Sequence, residues 1–470
     1  PRLEGKIDDA TGGNMKALFI VSAAVGLIGP LGCGAKGDDT STNVETSTPE
    51  GPTWYSDIQP IIGVHCQGCH SETAEFTFPL TDYETISSLA PVLLDKMEGS
   101  SEPPYLMPPF AHVSSDECED LGLWRDDLRL SEDQLTLFGE WIDAGTPEGD
   151  PSTEVEFIIP DVDKLEGEGI VRYSTSGATI EAGAYEDQYI CFSVDPELDE
   201  DGWFDGIEVH PGNKNIVHHV VVFTDPEGES EALGGESGSY PCFGGAKVSN
   251  SSIAYVWAPG SQPLSLVEDS GTYLKAGGRL VVQMHYHPNG SEETDQTELS
   301  IRWPTQTPSR WAGMFVYGAV AESHADSNHW VDPPFMVPEG AAEHTEVWEE
   351  VLVVPDGFDV RLWGIFPHMH LAGTGINIRI ERGDDEELCL NNIPAWDFEW
   401  QRSYLLEGTY EELPRVYDGD KLIITCTYNN SPSNPTLMDY VDEDSLADIV
   451  VGEESFDEMC TAILGVVLKL

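Results

Sequence analysis

Beyond Pro151 the sequence breaks into short runs such as VHHVVVF, RLVVQMHYH, EVLVVP, INIRIE and KLIITCTY, rich in β-branched and aromatic residues and separated by Gly, Pro, Asn and Asp. Runs this short, with this composition, pair as strands, because a helix needs a longer stretch of three-to-four periodicity. Roughly 300 residues of such texture predict two antiparallel β-sandwich domains. No short repeat interrupts it.

Upstream the texture changes. From Trp54 to Asp150 the pattern is helical, and LSEDQLTLFGEWIDAG spaces Leu135, Phe138, Trp141 and Ile142 three and four residues apart. Ser131 and Asp133 stand near its start and Gly145 after its end, so one amphipathic helix is expected here. Still earlier, Met15 to Gly32 reads MKALFIVSAAVGLIGPLG, one basic residue followed by an apolar run too short for a membrane span. It reads as an export signal, and the residues before Met15 read as lying upstream of the true start. Cys33 follows in a context resembling a bacterial lipoprotein cleavage box, with Pro30 where that box prefers Leu, which makes Cys33 a candidate for lipid attachment. The expected product is exported, periplasmic or at the cell surface, and meets a membrane only through that anchor.

The 470 residues exceed one ordinary core. The expected organisation is multidomain: residues 1–33 as upstream sequence and signal, 34–53 as a flexible Thr-, Ser- and Pro-rich linker, 54–150 as a small all-α domain, then 151–310 and 311–470 as two all-β antiparallel, jelly-roll sandwiches. With 85 Asp and Glu against 22 Lys and Arg, the formal charge of −63 repels phosphate backbones, so no nucleic-acid partner is expected.

Two kinds of motif carry chemistry. Cys66-Gln67-Gly68-Cys69-His70 is a CxxCH pattern, in which two thiols bind haem vinyl groups and the His becomes an axial iron ligand. The bland alternative is a Cys66–Cys69 disulfide. Farther on lie His218 with His219, His285 with His287, and His368 with His370, each on an expected strand. Residues i and i+2 of a strand face the same side, so His368 and His370 can share a metal, whereas adjacent His218 and His219 need local twist to do so. Taken one at a time, each cluster reads more simply as surface or hydrogen-bonded histidines.

The segment from WYSDIQPIIGVHCQGCH through MPPF to the amphipathic helix resembles a small cytochrome c domain. The resemblance implies a covalently attached haem c on Cys66 and Cys69 with His70 and Met107 as axial ligands, and Met97, His65 and His112 remain alternatives for the sixth position. IVHHVVVF, LVVQMHYH, FPHMHLAGTGI, KLIITCTYNN and SFDEMC, in that order over roughly residues 185 to 470, resemble the copper type II, ascorbate-dependent monooxygenases, the family of the dopamine-hydroxylating and peptide-amidating enzymes. That resemblance implies two copper ions, one held by His218, His219 and His285, the other by His368, His370 and the thioether of Met459, which form the catalytic set. Met438 is the rival to Met459, and His287 stays unassigned between competing for the metal and supporting a ligand. His210, His324, His329 and His344 lack such a context.

Cys118, Cys191, Cys242, Cys389, Cys426 and Cys460 remain for disulfides, which export favours. The family resemblance supports Cys426 with Cys460, and Cys191 with Cys242 is a guess. By the same resemblance, O2 reacts at the methionine-bearing copper, hydrogen is taken from a substrate carbon, and one oxygen atom enters the product while the other leaves as water. The two electrons come from ascorbate in the family; here the fused haem is the expected source, ascorbate the alternative reductant, and the haem in turn expects a redox partner. The peptide-amidating carboxylate anchor is missing, since Phe366, Thr461 and Ile463 stand at its positions. WDFEWQRSY, with Trp396, Trp400 and Tyr404, looks more like the aromatic-hydroxylating branch, which implies an apolar or aromatic small molecule as substrate. Two readings from other classes compete: a non-catalytic haem and copper electron-transfer lipoprotein, and an adhesive or carbohydrate-active β-sandwich whose histidines are incidental.

Overall fold

The computed structural model describes residues 51–71, 78–100, 106–115, 118–119, 121–125, 127–159, 164–184, 187–258, 261–383, 386–441, 445–454 and 456–469. The signal-like stretch and Cys33 lie outside the described residues.

The β-branched runs do form strands, and the chain is mostly β. In the first half a five-stranded antiparallel sheet runs in the order Ser239–Pro241, Gln188–Val194, Arg279–Tyr286, Val217–Asp225, Ser252–Trp257. Period-two alternation divides strand Val217–Asp225: Val220 and Val222 are fully buried in the core, while His219 and Val221 point to the other face. A second sheet joins Ile170–Ser174, Glu298–Arg302, Gly206–His210 and Leu264–Ser265. In the second half, His344–Val351, Lys421–Tyr428, Gly373–Glu381 and Glu387–Ile393 form a four-stranded antiparallel sheet.

The largest sheet belongs to both halves. Val360–His368, Cys460–Lys469 and Arg310–Ala319 are its central strands, and Ser270–Leu274 and Gly202–Phe204 extend it from the first half. Ser270 pairs in parallel with Arg310, so the expected divide at residue 310 falls at the start of a strand that bridges the two halves. One apolar cluster accordingly draws on Val220, Val222 and Met284 as well as Ile365, Leu464 and Val466.

The upstream segment forms helices Gln59–His65, Tyr83–Glu98 and Glu132–Asp143. The last is the helix expected from LSEDQLTLFGEWIDAG: Ser131 caps it and exchanges hydrogen bonds with Gln134 in a capping box. Phe138 and Trp141 on its inner face are fully buried against Trp54, Ile58, Ile62 and Ile86, a cluster separate from the β core. Burial of each such side chain contributes about 2–3 kcal/mol.

Between the second and third helices the chain leaves this cluster and straps the second-half sheets. Phe110 is buried in the β core and meets the Tyr404 ring edge-on at 5.0 Å. The Val113 amide donates to the Asn392 carbonyl at 2.8 Å and the Arg125 amide to that of Leu405 at 2.9 Å. A Cys118–Cys389 disulfide, spanning 271 positions, fastens the strap, and Cys191–Cys242 and Cys426–Cys460 are also bonded. Three such bonds belong to an oxidising compartment. Among the described residues no helix is long and apolar enough to cross a membrane.

Candidate metal centres and the cavity between them

Strands Val217–Asp225 and Arg279–Tyr286 bring the first histidines together. His219 lies directly opposite His285, but Tyr286 pairs with Val217, so His218 is an extra residue bulged out of the ladder. The bulge is the local twist that two adjacent histidines require to face one point. The Nδ1 atoms of His218, His219 and His285 stand 3.2, 3.2 and 3.1 Å apart.

That triangle does not satisfy itself. Each neutral imidazole Nδ1 is either a donor or an acceptor, so among three mutually facing atoms at least two are alike and repel. A cation at the centre, about 2 Å from each corner, removes the conflict at ordinary metal–imidazole length. Burial, then the neighbouring His285, lowers the pKa of His218 to about 3, and burial holds His219 far below the usual histidine range. Both rings are therefore neutral, with lone pairs available. Tyr189 stacks on His285 with ring centroids 4.4 Å apart, and Nε2 of His285 lies 3.0 Å from Asp187. The other Asp187 oxygen is 2.8 Å from Nδ1 of His287. His287 thus sits outside the triangle and shares its supporting carboxylate. Burial opposes ionisation of Asp187, yet its close contacts with the two histidines outweigh that and keep its pKa below the ordinary carboxylate range.

The second set is built the other way round. His368 ends strand Val360–His368 and His370 follows two residues on, with ring centroids 5.0 Å apart. Nδ1 of His368 bonds to Oε1 of Gln401 at 2.7 Å, and Nδ1 of His370 to the Asp457 carbonyl at 3.1 Å. In both rings Nδ1 is the donor, which leaves each Nε2 as the lone-pair nitrogen. Burial lowers His370 to about 3 and also lowers His368, against the pull of the Gln401 bond. Thr461 pairs with His368, and the residues just before Met459 reach His370, through the Asp457 carbonyl and the Glu458 carboxylate. Met438 stands instead on the short helix Pro435–Met438, against the main core.

His218 and His219 from the first set and His368 from the second line one cavity of about 190 Å³. The remaining wall is mainly apolar, with Val221, Val256, Phe366, Phe398 and Ile463, and the Phe398 ring stacks on His218 at 5.6 Å. Aromatic lining therefore comes from Phe366 and Phe398. Trp396 and Tyr404 of the WDFEWQRSY run are buried, and with Trp400 they line a separate cavity of about 180 Å³ beside Leu106 and Pro109. Thr461 is also withdrawn, its hydroxyl bonded to the Ala319 carbonyl.

In the helical segment Cys66 and Cys69 form no disulfide, and burial pushes the Cys66 thiol up to about 12. Nδ1 of His70 bonds to the Phe78 carbonyl at 2.9 Å, again freeing Nε2. Both ring nitrogens of His65 are engaged, with the Leu128 carbonyl and Gln134, while Met97 is buried in the helical cluster. His112 is carried away on the strap, where it accepts from the Asn392 amide. Met107 precedes the strap, and its amide donates to the Lys96 carbonyl. His210, His324, His329 and His344 make local hydrogen bonds, as expected of histidines without a site. Asp187, Gln401, Glu458 and Phe398 carried no sequence signal, because only long-range contact brings them to the histidines.

Fold and geometry thus define a disulfide-bonded β protein with two histidine sets meeting at one cavity. Residues 350–464 match the family described as copper type II ascorbate-dependent monooxygenase, C-terminal domain. The chain is 25% identical over 243 residues to DBH-like monooxygenase protein 1 of Homo sapiens, covering 47% of this chain and 37% of that protein. It is 24% identical over 242 residues to dopamine beta-hydroxylase of Canis lupus familiaris, covering 48% and 36%. The aligned part thus spans little more than a third of the length of these relatives. Over these stretches the chain is similar to the copper type II ascorbate-dependent monooxygenases.

Proposed function

We propose that this chain is a copper-dependent monooxygenase that hydroxylates a C–H bond of an apolar or aromatic small molecule with O2. The observation that carries the reading is the single cavity reached by both histidine sets and walled by Phe366, Phe398 and Ile463. His218, His219 and His285 would hold one copper through Nδ1, and His368 and His370 the other through Nε2, joined by the Met459 thioether, whose soft sulfur favours Cu(I). Bound copper would supply one stored electron at each centre and oxygen activation at the methionine-bearing one. The chain's own side chains do the rest. Asp187 and Gln401 orient His285 and His368, and the mainly apolar wall admits a hydrocarbon or aromatic ring, with Phe366 at the position of the peptide-amidating cation and Arg402 also on the wall.

The electron source is the finer part of the proposal. Haem c on Cys66 and Cys69, with His70 and Met107 as axial ligands, would deliver electrons intramolecularly, with ascorbate as the alternative. The unbridged thiols and the His70 bond to a carbonyl, which orients Nε2 outward, favour it. The strap supplies the connection: the Pro109 carbonyl, two residues past Met107, accepts from Arg402 at 3.0 Å, and the neighbouring Gln401 meets His368.

Copper-loaded chain given 18O2 and ascorbate, with a panel of small aromatic and aliphatic compounds, is expected to yield singly labelled hydroxylated product. Copper binding without O2 uptake or product would instead support the electron-transfer reading. Expression with c-type maturation should give haem that survives acid-acetone extraction; its absence would overturn the haem assignment while leaving the copper reading intact.

A further inference from the structure

Glu458 is fully buried in the β core, one residue before Met459. Its carboxylate accepts four backbone N–H groups: from His370 at 2.9 Å and Met459 at 3.1 Å on Oε2, and from Ala372 at 2.7 Å and Gly373 at 3.0 Å on Oε1. Two oxygens with about four lone-pair sites are thereby filled, which is what makes a buried carboxylate tolerable. These contacts are concentrated at the metal-site candidates. Asp457, the residue before, takes the His370 ring on its carbonyl, so two consecutive residues grip His370 by ring and by backbone. On the far side the Tyr428 hydroxyl donates to the Met459 carbonyl at 2.9 Å, and Cys460 is bonded to Cys426 of the same strand as Tyr428.

We propose that Glu458 is a positioning residue that fixes the Met459 backbone against His370, so that the thioether is presented to the metal before the metal arrives. A Met side chain has three rotatable bonds and a weak donor, so its usefulness as a ligand depends on how firmly its backbone is held. Glu458 holds the Met459 nitrogen, Tyr428 its carbonyl and the disulfide the next residue, leaving only the side chain to move. The carboxylate is specific to this task. A glutamine offers one acceptor oxygen and turns an NH2 toward amides that are themselves donors. This inference rests on the reading of Met459 as a copper ligand, and its test separates the two.

The test is X-ray absorption of the full chain loaded with Cu(I), together with Cu(I) affinity, for wild type and Glu458→Gln. The expected result is a copper–sulfur contribution in wild type that is lost in Glu458→Gln, with affinity at that site weakened about 10- to 100-fold and the histidine-only copper retained. A merely structural role would lower the thermal midpoint without removing the sulfur signal. Glu458→Gln that keeps the copper–sulfur contribution and wild-type affinity overturns the proposal. Wild type lacking copper–sulfur scattering overturns the Met459 reading itself, and this proposal with it. If Glu458→Gln does not fold, hydrogen exchange in metal-free wild type decides. The His370, Ala372, Gly373 and Met459 amides should be protected as strongly as central-strand amides, and exchange at the rate of exposed loops overturns the proposal.

Discussion

His218, His219 and His285 turn their Nδ1 atoms inward to a common point, whereas His368 and His370 give the same atom to Gln401 and to the Asp457 carbonyl and turn Nε2 outward. The first set is made inside one sheet, by a bulge and a direct cross-strand pair. The second is assembled from a strand end, the loop after it, and segments far along the chain, including the one gripped by the strap from the helical region. A site made by pairing register is fixed once the sheet forms. A site held from behind by hydrogen bonds stays open in front, where, on the proposed function, a weaker ligand, O2 and substrate would need room. The difference suits a storage centre on one side and a reacting centre on the other.

The sharpest way to break this comparison is to remove a ligand on the open side. His368→Ala or Met459→Ala should abolish product formation and reduce copper from two per chain to one, with the triangle's copper kept; unchanged turnover in Met459→Ala, measured alongside metal content, would transfer the role to Met438. Removing the strap's fastening comes next. Cys118→Ser with Cys389→Ser should cost about 2–5 kcal/mol in denaturant unfolding. Copper loss in that variant is expected at the His368 and His370 set first, since His368 bonds directly to Gln401, next to the strap-held Arg402. Asp187→Asn sharpens the contrast from the opposite side. It should weaken copper at the triangle about 10- to 100-fold by competitive chelation and leave the second site as it was. The smallest effect belongs to His324→Ala, which loses the bond from the Val320 amide. About 1 kcal/mol of stability and no change in copper content or turnover are expected.

Legibility in the sequence followed range. The helix Glu132–Asp143 was readable because its cap, its apolar spacing and its end lie within one short window. His368 and His370 do come close, but the expectation of one strand face does not hold, because the strand ends at His368 and His370 lies in the loop after it. Adjacent His218 and His219 were not readable as a pair, because the bulge that unites them is a property of how Val217–Asp225 registers against Arg279–Tyr286, a partner more than fifty residues away in sequence. The family resemblance supplied the Cys426–Cys460 pair, which is bonded, and the Met459 candidate, which spacing alone would not have chosen.

By itself, then, the sequence determined the β texture of the long second region, the helical character of the first, and which side chains are chemically able to bind a metal. Local dihedral preference and short-period burial set those properties, and neighbours within a few residues suffice to express them. Only the tertiary structure decided that one sheet bridges both halves, that the strap is bolted to Cys389, and that Phe366 and Phe398, not Trp396 and Tyr404, line the histidine cavity. It alone put Asp187 behind His285 and the Glu458 carboxylate beneath the His370–Gly373 turn. The physical reason is that a buried carboxylate or a cavity wall is specified by which distant segments exclude water together, and that depends on register and crossing connections rather than on any residue's own preference.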